Sequence, residues 1–441
     1  VINGELAQWT LAPGSANPLR ASDRRVSPFD LGFAWLGLLV ASGGVLPILK
    51  PILGFQGRDE GLAGDPFAQA IWLAIYATAA VLLFIRLPRV VRALPALGTI
   101  WIILAVALAS PAWSAAPEVS VRRSFALLGT TIFALYLGTR FTRHELVRIL
   151  FAVYVAAVPL NILAGVMGIG APYGVWMGTF SSKNLLGQAM VLSTVVCLLF
   201  TLSETGWKRG LGLATTALSC ALLILSNSKT SAVVLFASVM LLIPLRVLRL
   251  RYRVAELAVT ATLVGAGTLA VWIAGNSAAV LNLLGRDATL TGRVQLWGML
   301  WQMIQQKPWI GYGYGGFWLY WNGPSAAIWQ VSMARYGWLP PNGHDGFIDL
   351  WLDLGVVGLV AFVVNFAASF VRSFGVAREA QSFLDLFPVM FLYIMVLANL
   401  TESALVIHNS LMWVLFVTIS VQLWPGWRTL GPGSNLMPGA R

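Results

Sequence analysis

The sequence predicts an all-α polytopic membrane protein with about twelve transmembrane helices and one large extracytoplasmic loop. Three observations lead there. The 441 residues are 58% hydrophobic and only 10% charged, with a mean hydropathy of +0.77, where a soluble domain carries about 25% charged residues. Apolar stretches long enough to cross about 30 Å of hydrocarbon recur along the chain. The basic residues fall in short loops between those stretches. A formal charge of +12 therefore does not point to nucleic acid, because the cations are not gathered on one soluble face.

Residues 1–30, rich in Pro, Ser, Gly and Arg, read as a flexible cytoplasmic tail, and 425–441 as a second one. The chain begins at Val1, which suggests that an original start has been removed. No cleavable signal peptide is evident, and a first span can serve for targeting. Candidate spans are 31–49, 67–87, 94–113, 121–139, 146–169, 185–203, 210–227, 230–248 and 255–275, then 346–371, 383–400 and 404–424. Nine spans thus fill 31–275, the loop occupies 276–344, and three spans fill 345–424. Cys197 and Cys220 lie inside apolar spans and read as reduced packing residues without disulfide or metal spacing.

Counting Lys and Arg on alternate sides gives 19 on one face and 10 on the other, which accounts for all 29. That asymmetry places both termini in the cytoplasm and favours twelve spans. The loop is then extracytoplasmic. Within it, 293–306 has Val294, Trp297, Leu300, Trp301 and Ile304 at helical spacing, opposite glutamines. It reads as an amphipathic helix lying in the membrane interface.

Chemistry is expected among the exceptions to the charge pattern. Lys183, Lys229, Arg293 and Arg335 fall on the poorly basic face, with His344. Ser181-Ser182-Lys183-Asn184 and Ser226-Asn227-Ser228-Lys229-Thr230 surround each lysine with hydroxyl and amide groups able to bond an anion. Each lysine alone also fits a snorkelling residue at headgroup level. Together with Arg293 they favour an anionic ligand such as a diphosphate, which needs several donors at once. His344 closes the loop in Pro340-Pro341-Asn342-Gly343-His344-Asp345-Gly346. Imidazole titrates near neutral pH, as a general base should. Of the other histidines, His144 falls in a cytoplasmic loop and His408 inside the last span. Asp345, Asp349 and Asp353 recur every four residues, so they share a helix face. They suit orienting a base, binding sugar hydroxyls or pairing with cations, and for Asp349 an ion pair within the bundle is expected. Glu402, in the last outer turn, is a further buried-carboxylate candidate. Ten aromatic residues fall within 309–338, either as an interfacial belt or as a sugar-stacking surface including Tyr314, Trp318 and Trp321. The glycines at 311, 313, 315 and 316 do not form a nucleotide loop, because no strand precedes them and no Gly-Lys-Ser/Thr follows.

The run His344-Asp345-Gly346-Phe347-Ile348-Asp349 through Gly355-Val356-Val357-Gly358-Leu359 resembles the signature of the O-antigen ligase and Wzy-type polysaccharide polymerase superfamily. Thr291-Gly292-Arg293 with Trp297, then Pro308-Trp309-Ile310-Gly311-Tyr312-Gly313, is similar to that family's loop. Ser182-Lys183-Asn184-Leu185-Leu186-Gly187, the Lys229 motif and Thr401-Glu402-Ser403 complete the set, the last fitting its exopolysaccharide-polymerase branch. The motifs cover about residues 180–405, and their order makes them specific as a group.

The resemblance implies a C-type membrane glycosyltransferase of the bacterial inner membrane, acting on the periplasmic side, metal-independent, inverting and without cofactor. The donor would be an oligosaccharide on a polyprenyl diphosphate. The acceptor would be another lipid-linked repeat unit (polymerase, favoured) or lipid A–core (ligase), with membrane lipid and a chain-length regulator as further partners and no nucleic acid. Carried onto this chain, it makes His344 the base, with Lys183, Lys229, Arg293 and Arg335 on the diphosphate. Asn184, Asp345, Asp353 and Glu402 would support them, and Tyr314, Trp318 and Trp321 would hold the glycan. Relatives often have arginine at the Lys229 position, so bidentate binding there is not carried over. A transporter of lipid-linked sugars is the alternative of another class; it would want midplane charges and repeated halves, and neither is visible.

Overall fold

The computed structural model describes residues 26–53, 64–168, 175–242, 245 and 293–426. The expected span 255–275, Arg286 and the Thr291-Gly292 pair lie outside the described residues. Among the described residues there are fifteen α-helices and no strand. In chain order they are α1 Pro28–Ala41, α2 Leu46–Ile52, α3 Pro66–Ile85, α4 Leu87–Ala93, α5 Ile100–Ala109, α6 Pro117–Arg140, α7 Arg143–Val166, α8 Lys183–Ser203, α9 Gly206–Leu225 and α10 Lys229–Leu242. After the undescribed stretch come α11 Arg293–Gln306, α12 Ala326–Tyr336, α13 Gly346–Arg378, α14 Phe387–Asn399 and α15 Leu411–Leu423.

Local chemistry sets the starts. Ser27 caps α1 by accepting from the Asp30 amide, with Pro28 in the first turn. Helix α1 thus begins inside the stretch expected to be tail. Thr142 and Glu145 form a capping box on α7, and Ser182 caps α8. The main core joins α8 to α9, α6 to α15 and α3, and α13 to α5, around side chains such as Phe133, Tyr136, Trp413 and Phe416. Hydroxyls inside these helices return to carbonyls one turn back, as Thr131 to Leu127 (2.8 Å) and Thr201 to Cys197 (2.7 Å) do. Such bonds satisfy polar groups where no water reaches.

Among the described residues five helices are long and apolar enough to cross a membrane, six if one bent pair counts as a span. That pair corrects the expected span 94–113: Leu87–Leu97 and Ile100–Ala112 meet at 89°. The cause is local, since Pro95 lies in a 3-10 turn and Gly98 has φ +51°. The expected span 404–424 is also corrected, because α15 starts only at Leu411. His408 therefore sits in the preceding loop, where its amide donates to the Tyr314 hydroxyl (3.1 Å). Helix α13 runs on to Arg378 but breaks at Gly355, with φ +66° and ψ −172°. Loop residues fill the break: Tyr312 N–H donates to Leu352 O (2.7 Å), and Val356 N–H to Pro308 O (2.8 Å).

Helix α11 forms over the residues expected for the amphipathic helix, but its buried stripe is Leu296, Leu300 and Ile304, packed on Tyr312, Phe317, Ile328 and Leu352. Trp301, expected on that stripe, is half exposed and meets Trp351 edge-on. At the far end of the bundle Asp30 is buried among Arg140 (2.9 Å), Arg86 (3.2 Å) and Tyr136 (2.7 Å).

Candidate active site

The loop between α14 and α15 lowers Glu402 into the bundle, where the residue is 5% exposed. Its Oε1 accepts from Asn184 Nδ2 (2.6 Å) at the start of α8 and from Arg293 Nη2 (3.1 Å) at the start of α11. Its Oε2 faces His344 Nδ1 at 3.3 Å. Arg293 also donates to Thr401 O (2.7 Å), so the guanidinium clamps the turn that carries Glu402. Ser228, just before α10, donates to Asn184 Oδ1 (3.2 Å). Three distant segments thus meet on one carboxylate, and a fourth joins them through Asn184. Burial would raise the Glu402 pKa; the hydrogen bond and charge of His344, then Arg293 and Asn184, outweigh burial and hold the carboxyl below its ordinary value.

His344 adopts φ +51°, a conformation uncommon outside glycine. The surrounding turn holds it there. Its amide donates to Asn342 Oδ1 (3.0 Å), and Trp297 Nε1 donates to Gly343 O (2.8 Å). Asp349 takes the Gly343 amide on both oxygens (2.9 and 3.1 Å), the Trp318 indole (2.9 Å) and the Ser403 hydroxyl. The expected ion pair at Asp349 is thereby corrected: its partners among the described residues are neutral donors that fix the His344 turn. Asp345 caps α13 through the Phe347 and Ile348 amides. Burial raises its pKa, against those two bonds. Asp353 accepts the Gly315 amide (3.0 Å).

The remaining candidates are placed less uniformly. Lys183 is the first residue of α8 and half-buried; Lys229 is the first residue of α10 and exposed. Both adjoin the Asn184–Ser228 contact and so flank the Glu402 cluster. Arg335 is exposed in the last turn of α12 and is not brought into that cluster. Tyr314 is buried, its hydroxyl donating to Val406 O (2.7 Å). Trp321 is half exposed and stands edge-on to Trp329 at 5.3 Å.

Beside the cluster lies a cavity of about 640 Å³. Its walls include Arg122, Arg123, Tyr314, Trp318, Asp353 and His408. Arg122, Arg123 and His408 were missed from sequence. The arginine pair was visible as adjacent cations on the poorly basic face, whereas His408 was hidden by the span assigned over it. Among the described residues no group of three His, Cys, Asp or Glu side chains is arranged for a metal ion.

Residues 214–363 match the O-antigen ligase family. That stretch carries Lys229, Arg293 and His344, while Lys183 and Glu402 fall outside it. Among curated proteins, the chain is 27% identical over 267 residues to the exopolysaccharide production protein ExoQ of Rhizobium meliloti (strain 1021). The similarity covers 58% of this chain and 61% of that relative, so it spans about three fifths of the relative's length.

Proposed function

We propose, from the similarity of this chain to the O-antigen ligase family and to ExoQ, that it is an inner-membrane glycosyltransferase. It joins oligosaccharide repeat units carried on polyprenyl diphosphate into exopolysaccharide or O-antigen at the periplasmic face. The convergence of Asn184, Arg293 and His344 on Glu402 carries this reading. With Nδ1 turned to Glu402, the His344 Nε2 is the nitrogen left to accept a proton. An acceptor hydroxyl oxygen bonds to the anomeric carbon, the bond from that carbon to the diphosphate oxygen breaks, and the hydroxyl proton passes to Nε2. The imidazolium so formed faces the carboxylate, as a positioned base requires. Arg293, Lys183 and Lys229, together with Arg335, neutralise the leaving diphosphate. Asp345 and Asp353 support the turn and loop, and Trp318, Trp321 and Tyr314 belong to the glycan-facing segment.

Twelve spans, both termini in the cytoplasm, tails at 1–30 and 425–441 and the 276–344 loop on the periplasmic side belong to the same proposal. Two clusters support that topology. Asp30, Arg86 and Arg140 meet one another, and Asn184, Ser228, Arg293 and His344 meet Glu402 or its neighbours; the charge count assigns each set to a single face. The ExoQ relative is named for exopolysaccharide production, which supports the polymerase reading, and the family is described as O-antigen ligase, which supports ligation, with lipid A–core as acceptor, as the second reading.

The test uses protein in nanodiscs with a lipid-linked oligosaccharide and no added metal, wild type beside His344→Ala. A ladder of longer lipid-linked glycans, absent in the mutant, is expected. Movement of the intact substrate across a sealed bilayer with no new glycosidic bond would overturn the enzyme reading.

A further inference from the structure

Two turns separate the cavity from the Glu402 cluster, and each shows one face to either side. Asn342, Gly346 and Ser403 lie on the cavity wall; His344 and Glu402, their near neighbours, do not. Lys183 and Arg293 are likewise absent from that wall. Lys183, Arg293, His344 and Glu402 thus lie off the cavity wall, with the two turns between them and the cavity.

The chemistry of the cavity suits neither a diphosphate nor a lipid chain. Asp65, Asp349 and Asp353 offset Arg122 and Arg123, so the wall has no excess of positive charge for a polyanion, and its charged groups would oppose an alkyl tail. Guanidinium donors, carboxylate acceptors and aromatic rings together fit sugar hydroxyls and ring faces. The volume of about 640 Å³ lies within the range of about 300–1,000 Å³ usual for ligand sites. The wall is held in place: Arg123 Nη1 donates to Gly315 O (2.8 Å), and the Gly315 amide donates to Asp353 (3.0 Å). Burial, with the charges of Arg123 and Arg122, pushes the His408 pKa down to about 4. At neutral pH that imidazole offers one donor and one acceptor. Asn342 links the cavity to the His344 turn, lining the one while its side chain holds the His344 amide.

We infer that this cavity is the acceptor subsite: it holds the sugars of the incoming glycan beyond the one that reacts at His344, with Arg122 as a specificity-determining donor, Asp353 and His408 beside it and Trp318 as a stacking face. The inference rests on the glycosyltransferase reading. It separates acceptor from donor by the turns that carry His344 and Glu402.

The probe is the soluble oligosaccharide released by mild acid from the host's own lipid-linked repeat units. Its binding to the full chain in nanodiscs is followed by saturation-transfer NMR. Arg122→Gln is expected to weaken binding about tenfold, the loss of about one good hydrogen bond. Ala126→Phe, which fills the cavity without altering charge, is expected to abolish it. Lys183→Gln, on the donor side, is expected to bind as wild type does. Size-exclusion profiles matching wild type certify that each variant is folded. Wild-type affinity in both cavity variants, no binding by the wild type, or loss confined to Lys183→Gln overturns the inference. Binding that follows the expected pattern in a protein that makes no glycan ladder removes the proposed activity and leaves the cavity a glycan site.

Discussion

Replacing Glu402 by Gln removes one negative charge and keeps the shape of the side chain. The native carboxylate holds Asn184 at 2.6 Å and Arg293 at 3.1 Å, and faces His344 at 3.3 Å. Glu402 and Arg293 side chains are 7% and 18% exposed, so solvent screens their pair little. Breaking a buried pair by removing one partner costs about 3–5 kcal/mol. Gln keeps an acceptor for Asn184 and the second Arg293 bond to Thr401 survives, so the lower end, about 3 kcal/mol, is expected. The folded carboxyl lies below its ordinary value, so its stabilisation is present above the unfolded value near pH 4.3 and is lost as pH falls through the lower folded value. Thermal unfolding from pH 7 down to pH 3 should show the wild type approaching the mutant at the acid end. In the ladder assay Glu402→Gln should lower kcat by about 10²-fold or more, because the imidazolium loses its partner. Added to His344→Ala it should cost nothing further, since the two act as a unit. Additive losses, or a Glu402→Gln protein with wild-type Tm at pH 7, would refute the reasoning.

Gly355→Ala should destabilise by about 2–5 kcal/mol, because its φ and ψ are open essentially to glycine and an added Cβ meets the Trp309 carbonyl; thermal unfolding in detergent measures it. Asp30→Asn should lower Tm by the loss of about 3–5 kcal/mol, since a 1%-exposed carboxylate meets two arginines, and leave the substrate KM of the surviving folded protein unchanged. Asp349→Asn loosens the Gly343 and Ser403 turns and should lower kcat about 10²-fold through misplacement of His344, with donor KM near wild type. Lys183→Gln should instead raise donor KM about 10–100-fold, the worth of one charge-assisted bond, with kcat per bound donor less affected.

Membrane class, most helix positions and the identity of the central side chains were legible in the chain alone. Long apolar runs must become helices in lipid, because backbone groups there have no other partner. A cation or histidine kept on a poorly basic face likewise stands out against that background, which is how His344, Arg293 and Lys183 were found, while Glu402 stood out as a carboxylate in an outer turn. Three things were decided only in three dimensions. The bend at Gly98 turns on the backbone of one glycine after a proline turn, and the break at Gly355 on a loop segment packing into it, so hydropathy averaged over a span could not register either. Asp349 became an acceptor for neutral donors because the 343 turn and Ser403 fold over it. Arg122, Arg123 and His408 share a cavity although nearly 290 residues separate the arginines from the histidine in sequence. Periodicity reports which face of a helix is apolar. It does not report which distant turn closes over that face, because that pairing is set by packing between segments that carry no local trace of one another.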